Sequence, residues 1–255
     1  FSTFGMLLSP WGYEAIDWDL IGNARELGAP QIANGHYFGI DDLGRDIYSR
    51  TLQGTQISLL VGVLGALVAV IIGVFYGAVS GFVGGRIDNL MMRFVDILMS
   101  IPYMFILIII FVVFGRSVYL LFIGIGLFSW MDMARIVRGQ TLAIKNKQYI
   151  EAAQATGVKG IRLITRHIIP NLLGIVVVYA SLLVPSLILT ESFISFLGLG
   201  VQEPLTSWGA LINEGAGTMQ YGTIWQIAFP ISFFVVGLYC FLFLGDGLRD
   251  AFDPK

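Results

Sequence analysis

The segment Tyr149–Pro170 reads YIEAAQATGVKGIRLITRHIIP and is the longest polar interruption in a chain that is otherwise apolar after Gln56. Asn146 is suited to be an N-cap and Gly157 to be a C-terminal stop, so the segment predicts a helix of about ten residues. Spacing of three and four residues places on one face Ile150, Ala153, Gln154 and Gly157. Because this face is small and flat, it favours close approach by another protein.

The second half of the segment carries an apolar stripe and a basic stripe. They consist of Ile161, Ile164 and Ile168, and of Lys159, Arg162 and Arg166. This pattern predicts an amphipathic helix that lies at a membrane surface. An ordinary loop between two membrane spans is the alternative that these residues by themselves leave open.

Composition places the chain among membrane proteins. Of its 255 residues 56% are hydrophobic and 13% are charged, whereas a soluble domain carries about 25% charged residues. We therefore predict an all-α polytopic membrane protein. The single cysteine, Cys240, excludes a disulfide framework and a cysteine metal site.

Hydropathy predicts five spans in a transmembrane domain over residues 53–247. The spans lie near residues 57–83, 94–114, 117–134, 169–194 and 223–245. Pro102 predicts a kink or break in the second span. The remaining segments are an extracytoplasmic segment 1–52, a cytoplasmic loop 135–168 and a cytoplasmic tail 248–255.

Basic residues set the orientation. The loop from Arg135 to Arg166 holds seven basic residues and Glu151, and burying eight charges at roughly 2.5 kcal/mol each would cost about 20 kcal/mol. With this loop in the cytoplasm, eleven basic residues lie inside and four outside. Residue 1 then lies outside, so we expect a sixth helix upstream of Phe1 in the full protein.

The sequence lacks the motifs of several catalytic classes. No G-x4-G-K-[ST] motif occurs, so this chain should not hydrolyse ATP by itself. His36 and His167 have no partners at metal-binding spacing, so no metal site is predicted, and His36 is interpreted as an ordinary loop histidine. We expect a protein that is not an enzyme.

Two acidic residues and one stripe of small residues are further candidates. Asp132 and Glu191 lie at the edges of spans, where an acidic group is either a translocation or gating residue or a helix-end group that is hydrated or paired with a nearby arginine, as Asp132 with Arg135. A small residue at every fourth position predicts close helix packing. The stripe comprises Gly65, Ala69, Gly73, Gly77 and Gly81.

Two blocks resemble a known family. The first, E-A-A-x3-G at Glu151–Gly157, followed nine residues later by x-x-I-P ending at Pro170, resembles the cytoplasmic EAA loop of permease subunits in binding-protein-dependent ABC importers. Ile169 and His167 stand where that family usually has Leu and Ile. The second, HYFGIDDLGRDIYSR before the first span, resembles the oligopeptide/dipeptide branch, with Ile40 in place of the usual Thr.

The resemblance implies a type I ABC importer transmembrane domain and the role of a C-type permease in a bacterial inner membrane. It also implies a homologous B-type permease, two ATP-binding subunits that bind ATP and Mg, and an extracytoplasmic peptide-binding protein, with no cofactor in this chain. The coupling residues it implies are Glu151, Ala152, Ala153, Gly157 and Pro170.

Other functions stay open at this point. A permease of the same family for nickel, glutathione or another small solute has no distinguishing pattern in the sequence. A secondary transporter driven by an ion gradient would need charged residues at mid-span and paired broken helices, and neither pattern is present. Peptide length, the pore-lining residues and the ATPase in contact with this chain are left undetermined.

Overall fold

The structure is a computed structural model that describes residues 9–158 and 160–252. Regular structure within these ranges is helical, accompanied by three isolated β-bridges. The expectation of an all-α fold is thereby confirmed. The expectations on Phe1, Lys159 and the last three residues lie outside the described residues.

Four of the described helices are long and apolar enough to cross a membrane, Ile47–Val83, Val118–Ile144, Ile161–Phe196 and Trp225–Ala251, and the bent pair Gly85–Ser100 and Tyr103–Phe114 would make a fifth span. The helices are labelled α1 Ala24–Leu27, α2 Ile47–Val83, α3 Gly85–Ser100, α4 Tyr103–Phe114, α5 Val118–Ile144, α6 Gln148–Ala155, α7 Ile161–Phe196, α8 Trp208–Thr218 and α9 Trp225–Phe252.

Several helices extend further than hydropathy placed the spans. Helix α2 begins ten residues before position 57, and α5 continues ten residues beyond position 134. Hydropathy ends a span at a charge, but Arg50 in α2 and Arg138 in α5 are neutralised by carboxylates of other elements. A charged residue that is paired with a carboxylate in this way can therefore lie within the helix and does not end it.

The second span is broken at Pro102. Ile101 is extended, with φ −93° and ψ 127°, as is usual for the residue before proline, whose ring crowds the preceding backbone. The axes of α3 and α4 differ by 71°. The predicted single span 94–114 therefore consists of the end of α3 and the whole of α4.

The chain forms two compact units. The first combines the chain up to Gly62 with residues 110–122 and 186–240, and the second combines residues 63–109, 123–185 and the chain from Phe241. Helix α2 contributes residues to both.

In the first unit the segment before α2 forms a hydrogen-bonded contact around the buried His36. His36 is 1% exposed, its Nδ1 lies 3.0 Å from Asp46 and its Nε2 3.2 Å from Asp17. Trp11 stacks on the imidazole with ring centroids 4.6 Å apart. His36 is thus a buried, doubly hydrogen-bonded residue and not an ordinary loop histidine.

In the second unit the small-residue stripe of α2 packs against α5. A Cβ atom at Gly77 would lie 2.3 Å from the Ala134 carbonyl oxygen, and one at Gly73 would lie 2.6 Å from the Met133 Cβ. A Cβ at Gly81 would lie 2.8 Å from the Arg138 carbonyl oxygen. The two backbones therefore approach so closely that only glycine fits.

Candidate coupling site

Helix α6 overlaps the segment Tyr149–Pro170, which resembles the EAA loop. It begins at Gln148 with Lys147 in the N-cap position, and Lys147 makes no side-chain cap hydrogen bond. The Lys147 carbonyl oxygen accepts hydrogen bonds from the Ile150 and Glu151 amides at 2.9 and 3.2 Å. The prediction of Asn146 as the N-cap is wrong, because the helix begins at Gln148 and Lys147 is its N-cap residue.

The end of α6 is a glycine-stopped Schellman turn. The Gly157 amide donates to the Gln154 carbonyl at 2.9 Å, and the Val158 amide donates to the Ala153 carbonyl at 3.1 Å. Gly157 has φ +89°, the left-handed conformation that this turn requires of its last residue. The turn ends α6 and leaves Gly157 exposed.

The burial of α6 corrects the face assigned from spacing. Ile150 is fully buried, and Ala153 and Val158 pack on the same apolar cluster. The inner residues of that cluster are Val74, Ala78, Met133, Val137, Ile144, Ile150, Leu163, Ile164, Ile168, Leu172 and Val176. The face with Ile150 and Ala153 is therefore the anchor of α6, while Glu151, Ala152 and Gln154 are exposed.

The stretch after Gly160 is not a separate surface helix. It is the first part of α7, and its apolar side chains Leu163, Ile164 and Ile168 pack into the protein. Ile161, counted in the apolar stripe, is 62% exposed, and Arg162 and Arg166 are exposed as predicted for the basic stripe. Two residues of the predicted apolar stripe, Ile164 and Ile168, therefore pack on this chain, and the predicted location at a membrane surface stays a prediction.

Pro170 lies in α7 just after a π-helical turn at Ile164–Ile168. A proline has no amide hydrogen and its ring crowds the carbonyl four residues earlier. A π turn widens the helix at this place, so the proline is accommodated without a break. Pro170, a predicted coupling residue, therefore acts on the backbone geometry of α7. Its side chain is exposed, two residues after the buried Ile168.

A charged clamp joins three helices beside α6. Arg138 of α5 donates from Nε and Nη2 to the two carboxylate oxygens of Asp88 at 2.6 and 2.7 Å. Ser80 of α2 donates to the same carboxylate at 2.5 Å. Lys145 Nζ donates to the Gly81 carbonyl at 3.1 Å, near the end of α2. These contacts fix the ends of α2, α3 and α5 relative to one another.

The predicted acidic candidates Asp132 and Glu191 belong to different units. Asp132 is exposed, and its suggested partner Arg135 instead binds Asp96 of α3. Asp132 forms no ion pair within residues 9–158 and 160–252. The pairing with Arg135 is therefore wrong.

Glu191 is fully buried in the first unit. Its carboxylate accepts hydrogen bonds from Ser58 at 2.8 Å, from Ser195 at 2.6 Å and from Ser192 at 3.3 Å. The Ser58 hydroxyl in turn accepts from the Trp208 amide at 3.2 Å. This carboxylate thus holds together α2, α7 and the start of α8, and the interpretation as a hydrated or arginine-paired helix-end group is wrong.

An ion network that the sequence analysis missed lies in the first unit. Arg50, 1% exposed, donates to Asp41 at 2.6 Å and binds Glu214 through both Nη atoms at 2.5 and 3.0 Å. Arg45 joins the same Asp41 at 2.7 Å and reaches Glu203 at 2.6 Å. The hydrogen bond from Arg45 lowers the pKa of the Glu203 carboxyl.

This network borders a cavity of about 260 Å³. The signal in the sequence was the density of charge in the block before α2, together with Glu214 in an otherwise uncharged helix. Spacing could not pair them, because Arg50 and Glu214 are 164 residues apart. Among the described residues no group of three or more histidine, cysteine or acidic side chains is arranged to hold a metal ion.

Comparison with known proteins places this chain in a family. The profile of the binding-protein-dependent transport system inner membrane component matches residues 69–255. An oligopeptide transport system permease protein OppC from Haemophilus influenzae is 52% identical over all of this chain and 80% of its own length. A dipeptide transport system permease protein DppC from Bacillus subtilis is 46% identical over 86% of this chain and 69% of its own length.

A solved structure shares the fold. An inward-facing MetNI methionine ABC transporter matches with a TM-score of 0.63 and 18% identity, covering 80% of this chain and 96% of that chain. The match supports the type I importer fold expected from the sequence. This chain belongs to the family of binding-protein-dependent transport system inner membrane components.

Proposed function

We propose that this chain is the C-type permease subunit of an ATP-driven peptide importer in a bacterial inner membrane, and that α6 is its coupling helix. The relatives reported above are named for oligopeptide and dipeptide transport. The observation that carries the proposal is the two-sided packing of α6, which is anchored through Ile150 and exposes Glu151 and Ala152.

The partners follow from the same proposal. A homologous B-type permease completes the translocation path, two ATP-binding subunits bind ATP and Mg, and an extracytoplasmic binding protein delivers the peptide. This chain itself binds no cofactor and catalyses no reaction. The Glu151 side chain forms no ion pair in the described part of the chain, so its carboxylate is available to a basic group or a helix N-terminus of an ATPase.

Transmission follows from the apolar cluster. Ile150 contacts a core formed by α2, α5 and α7. Because close-packed side chains transmit displacement with little compression, a movement of α6 shifts these three helices together. The Asp88–Arg138 pair extends the displacement to α3. Of the two acidic candidates, Glu191 is proposed to position helices, while Asp132 is the exposed candidate for the translocation path or its gate.

The test is Gly157→Asp, with Gly115→Asp as the matched control. Both glycines have φ +89° and open space where a Cβ atom would be added, so both substitutions carry the same backbone strain and the same added charge. Gly115 lies in the turn between α4 and α5, away from the coupling segment. The assay is peptide-stimulated ATP hydrolysis by the reconstituted complex, with the amount of ATPase retained on the permeases.

We expect Gly157→Asp to insert normally, to lose ATPase retention and to lose stimulation, while Gly115→Asp keeps both. Equal behaviour of the two variants would refute the assignment of α6. Substrate class is tested separately with the purified binding protein, by titration with oligopeptides, dipeptides, glutathione and nickel. Uptake that follows an ion gradient without ATP would favour a secondary transporter instead.

A further inference from the structure

Helix α3 has an open apolar face that its own unit does not use. Its buried side chains are those of Asp88, Met92 and Val95, which face the rest of the second unit. On the opposite side, Ile87, Leu90, Phe94 and Ile97 repeat at intervals of three and four residues and are 54, 72, 51 and 60% exposed. This face is therefore a continuous stripe that needs another occupant.

A groove runs beside this stripe. It has a volume of about 430 Å³ and is lined by Tyr76 of α2 and by Leu90, Met91, Arg93, Phe94 and Ile97 of α3. The Tyr76 hydroxyl donates to the Met91 carbonyl at 2.9 Å, so the tyrosine turns its ring and not a free polar atom to the groove. The lining is thus apolar except for Arg93, which suits a hydrocarbon chain.

No described residue compensates the charge of Arg93. Asp88 and Asp96, the acidic residues of α3, are bound by Arg138 and Arg135. Neither Arg93 nor Arg86, seven residues earlier on the helix, forms an ion pair with any residue that the structure describes. A guanidinium at the edge of an apolar groove binds a phosphate through two parallel hydrogen bonds.

The depth of the groove agrees with a lipid headgroup. The Arg135–Asp96 pair lies one helical turn from Arg93, and its side chains are 44 and 60% exposed. An exposed ion pair belongs in the headgroup region, because charges are costly in hydrocarbon. Helix α4, wholly apolar, follows after the 71° bend. The side with most basic residues is the cytoplasmic one.

We propose that α3 and Tyr76 form a binding site in the cytoplasmic leaflet for a phospholipid with an anionic headgroup. The acyl chain lies along Tyr76, Leu90, Phe94 and Ile97, and the phosphate binds the guanidinium of Arg93. A net-anionic lipid is favoured over a zwitterionic one because it brings no ammonium group to oppose Arg93 and Arg86. The proposal is independent of the transported substrate.

The experiment uses the assembled, detergent-purified transporter. Retained lipid is measured by native mass spectrometry after incubation with phosphatidylglycerol or with phosphatidylcholine, for the wild type and for Arg93→Gln, Arg93→Lys and Arg116→Gln. Arg116 is an exposed arginine in the turn before α5 and serves as the control for loss of one positive charge. The thermal midpoint of each complex verifies that it is folded.

We expect the wild type to retain phosphatidylglycerol over phosphatidylcholine, and Arg93→Gln to weaken that binding on the order of tenfold, as for loss of a charged hydrogen bond. Arg93→Lys should keep most of it and Arg116→Gln all of it. Equal binding by wild type and Arg93→Gln would overturn the site. Efficient crosslinking of a Leu90→Cys variant to a partner subunit would also overturn it, by showing that protein covers the groove.

Discussion

The contact between α2 and α5 gives a prediction in which one substitution type has opposite effects at two glycines. At Gly77 a Cβ atom would lie 2.3 Å from the Ala134 carbonyl oxygen, 2.9 Å from the Arg138 amide nitrogen and 3.0 Å from the Val137 Cβ. The first two atoms are backbone and cannot move without moving α5. At Gly139, also within α5, a Cβ atom would have no neighbour within 4 Å among the described residues.

The magnitude follows from two opposing terms. Replacing a mid-helix glycine by alanine stabilises a helix by about 1 kcal/mol, and this is the whole effect expected for Gly139→Ala. Overpacking costs about 1–3 kcal/mol, and a backbone contact of 2.3 Å belongs at the upper end. Gly77→Ala should therefore destabilise the protein by about 2 kcal/mol, the difference between about 3 and about 1 kcal/mol.

The assay is the thermal midpoint of the purified complex for wild type, Gly77→Ala and Gly139→Ala. For a chain of this size, about 2 kcal/mol corresponds to roughly 4–8 °C. We expect a decrease of that size for Gly77→Ala and a small increase for Gly139→Ala. A midpoint for Gly77→Ala equal to or above that of the wild type would refute the close backbone contact.

Three further predictions concern buried or charged groups. Glu191→Ala leaves the hydroxyls of Ser58 and Ser195 without their acceptor. It should lower the thermal midpoint by the equivalent of about 1–3 kcal/mol, and Glu191→Gln should lower it less. An equal decrease in both variants would contradict the hydrogen-bonding role of Glu191. Asp88→Asn should reduce coupled ATP hydrolysis and stability because it removes the ion pair with Arg138. Asp132→Asn, at an exposed position without an ion pair in the described residues, should leave stability unchanged. The reverse pattern of effects would contradict the role of the Asp88–Arg138 clamp. Arg45 lowers the pKa of Glu203 below its ordinary 4.5. The pair therefore stabilises the protein above that pH, and this stabilisation is lost as pH falls through the lowered pKa. A stability advantage of the wild type over Glu203→Gln that grows on acidification would contradict this pH dependence.

Local features were predicted well from the sequence because their causes are local. Gly157 stops α6 since a left-handed residue after a short helix is a matter of adjacent backbone atoms. Pro102 breaks the helix for the same kind of reason, through its own ring and missing amide. The composition required a membrane environment irrespective of how the helices pack.

The direction in which α6 faces was not predictable from its spacing. Ile150 and Ala153 share a face, but whether that face binds a partner or the chain itself depends on where α2, α5 and α7 meet. The same holds for charge. Arg50 lies outside the predicted spans, and in the structure it is neutralised by Asp41 and by Glu214, which is 164 residues away.

The sequence by itself determined the membrane class, the asymmetry of basic charge, the polar segment that contains α6 and the glycine stripe, since these depend on hydropathy, charge count and neighbouring residues. The tertiary structure alone decided which carboxylates are paired and which are enclosed. Glu191 shows the reason: its environment is made by Ser58 and Ser195, which come from two helices. A buried polar group is stabilised only by partners placed around it in three dimensions, and their sequence separation carries no information about that placement.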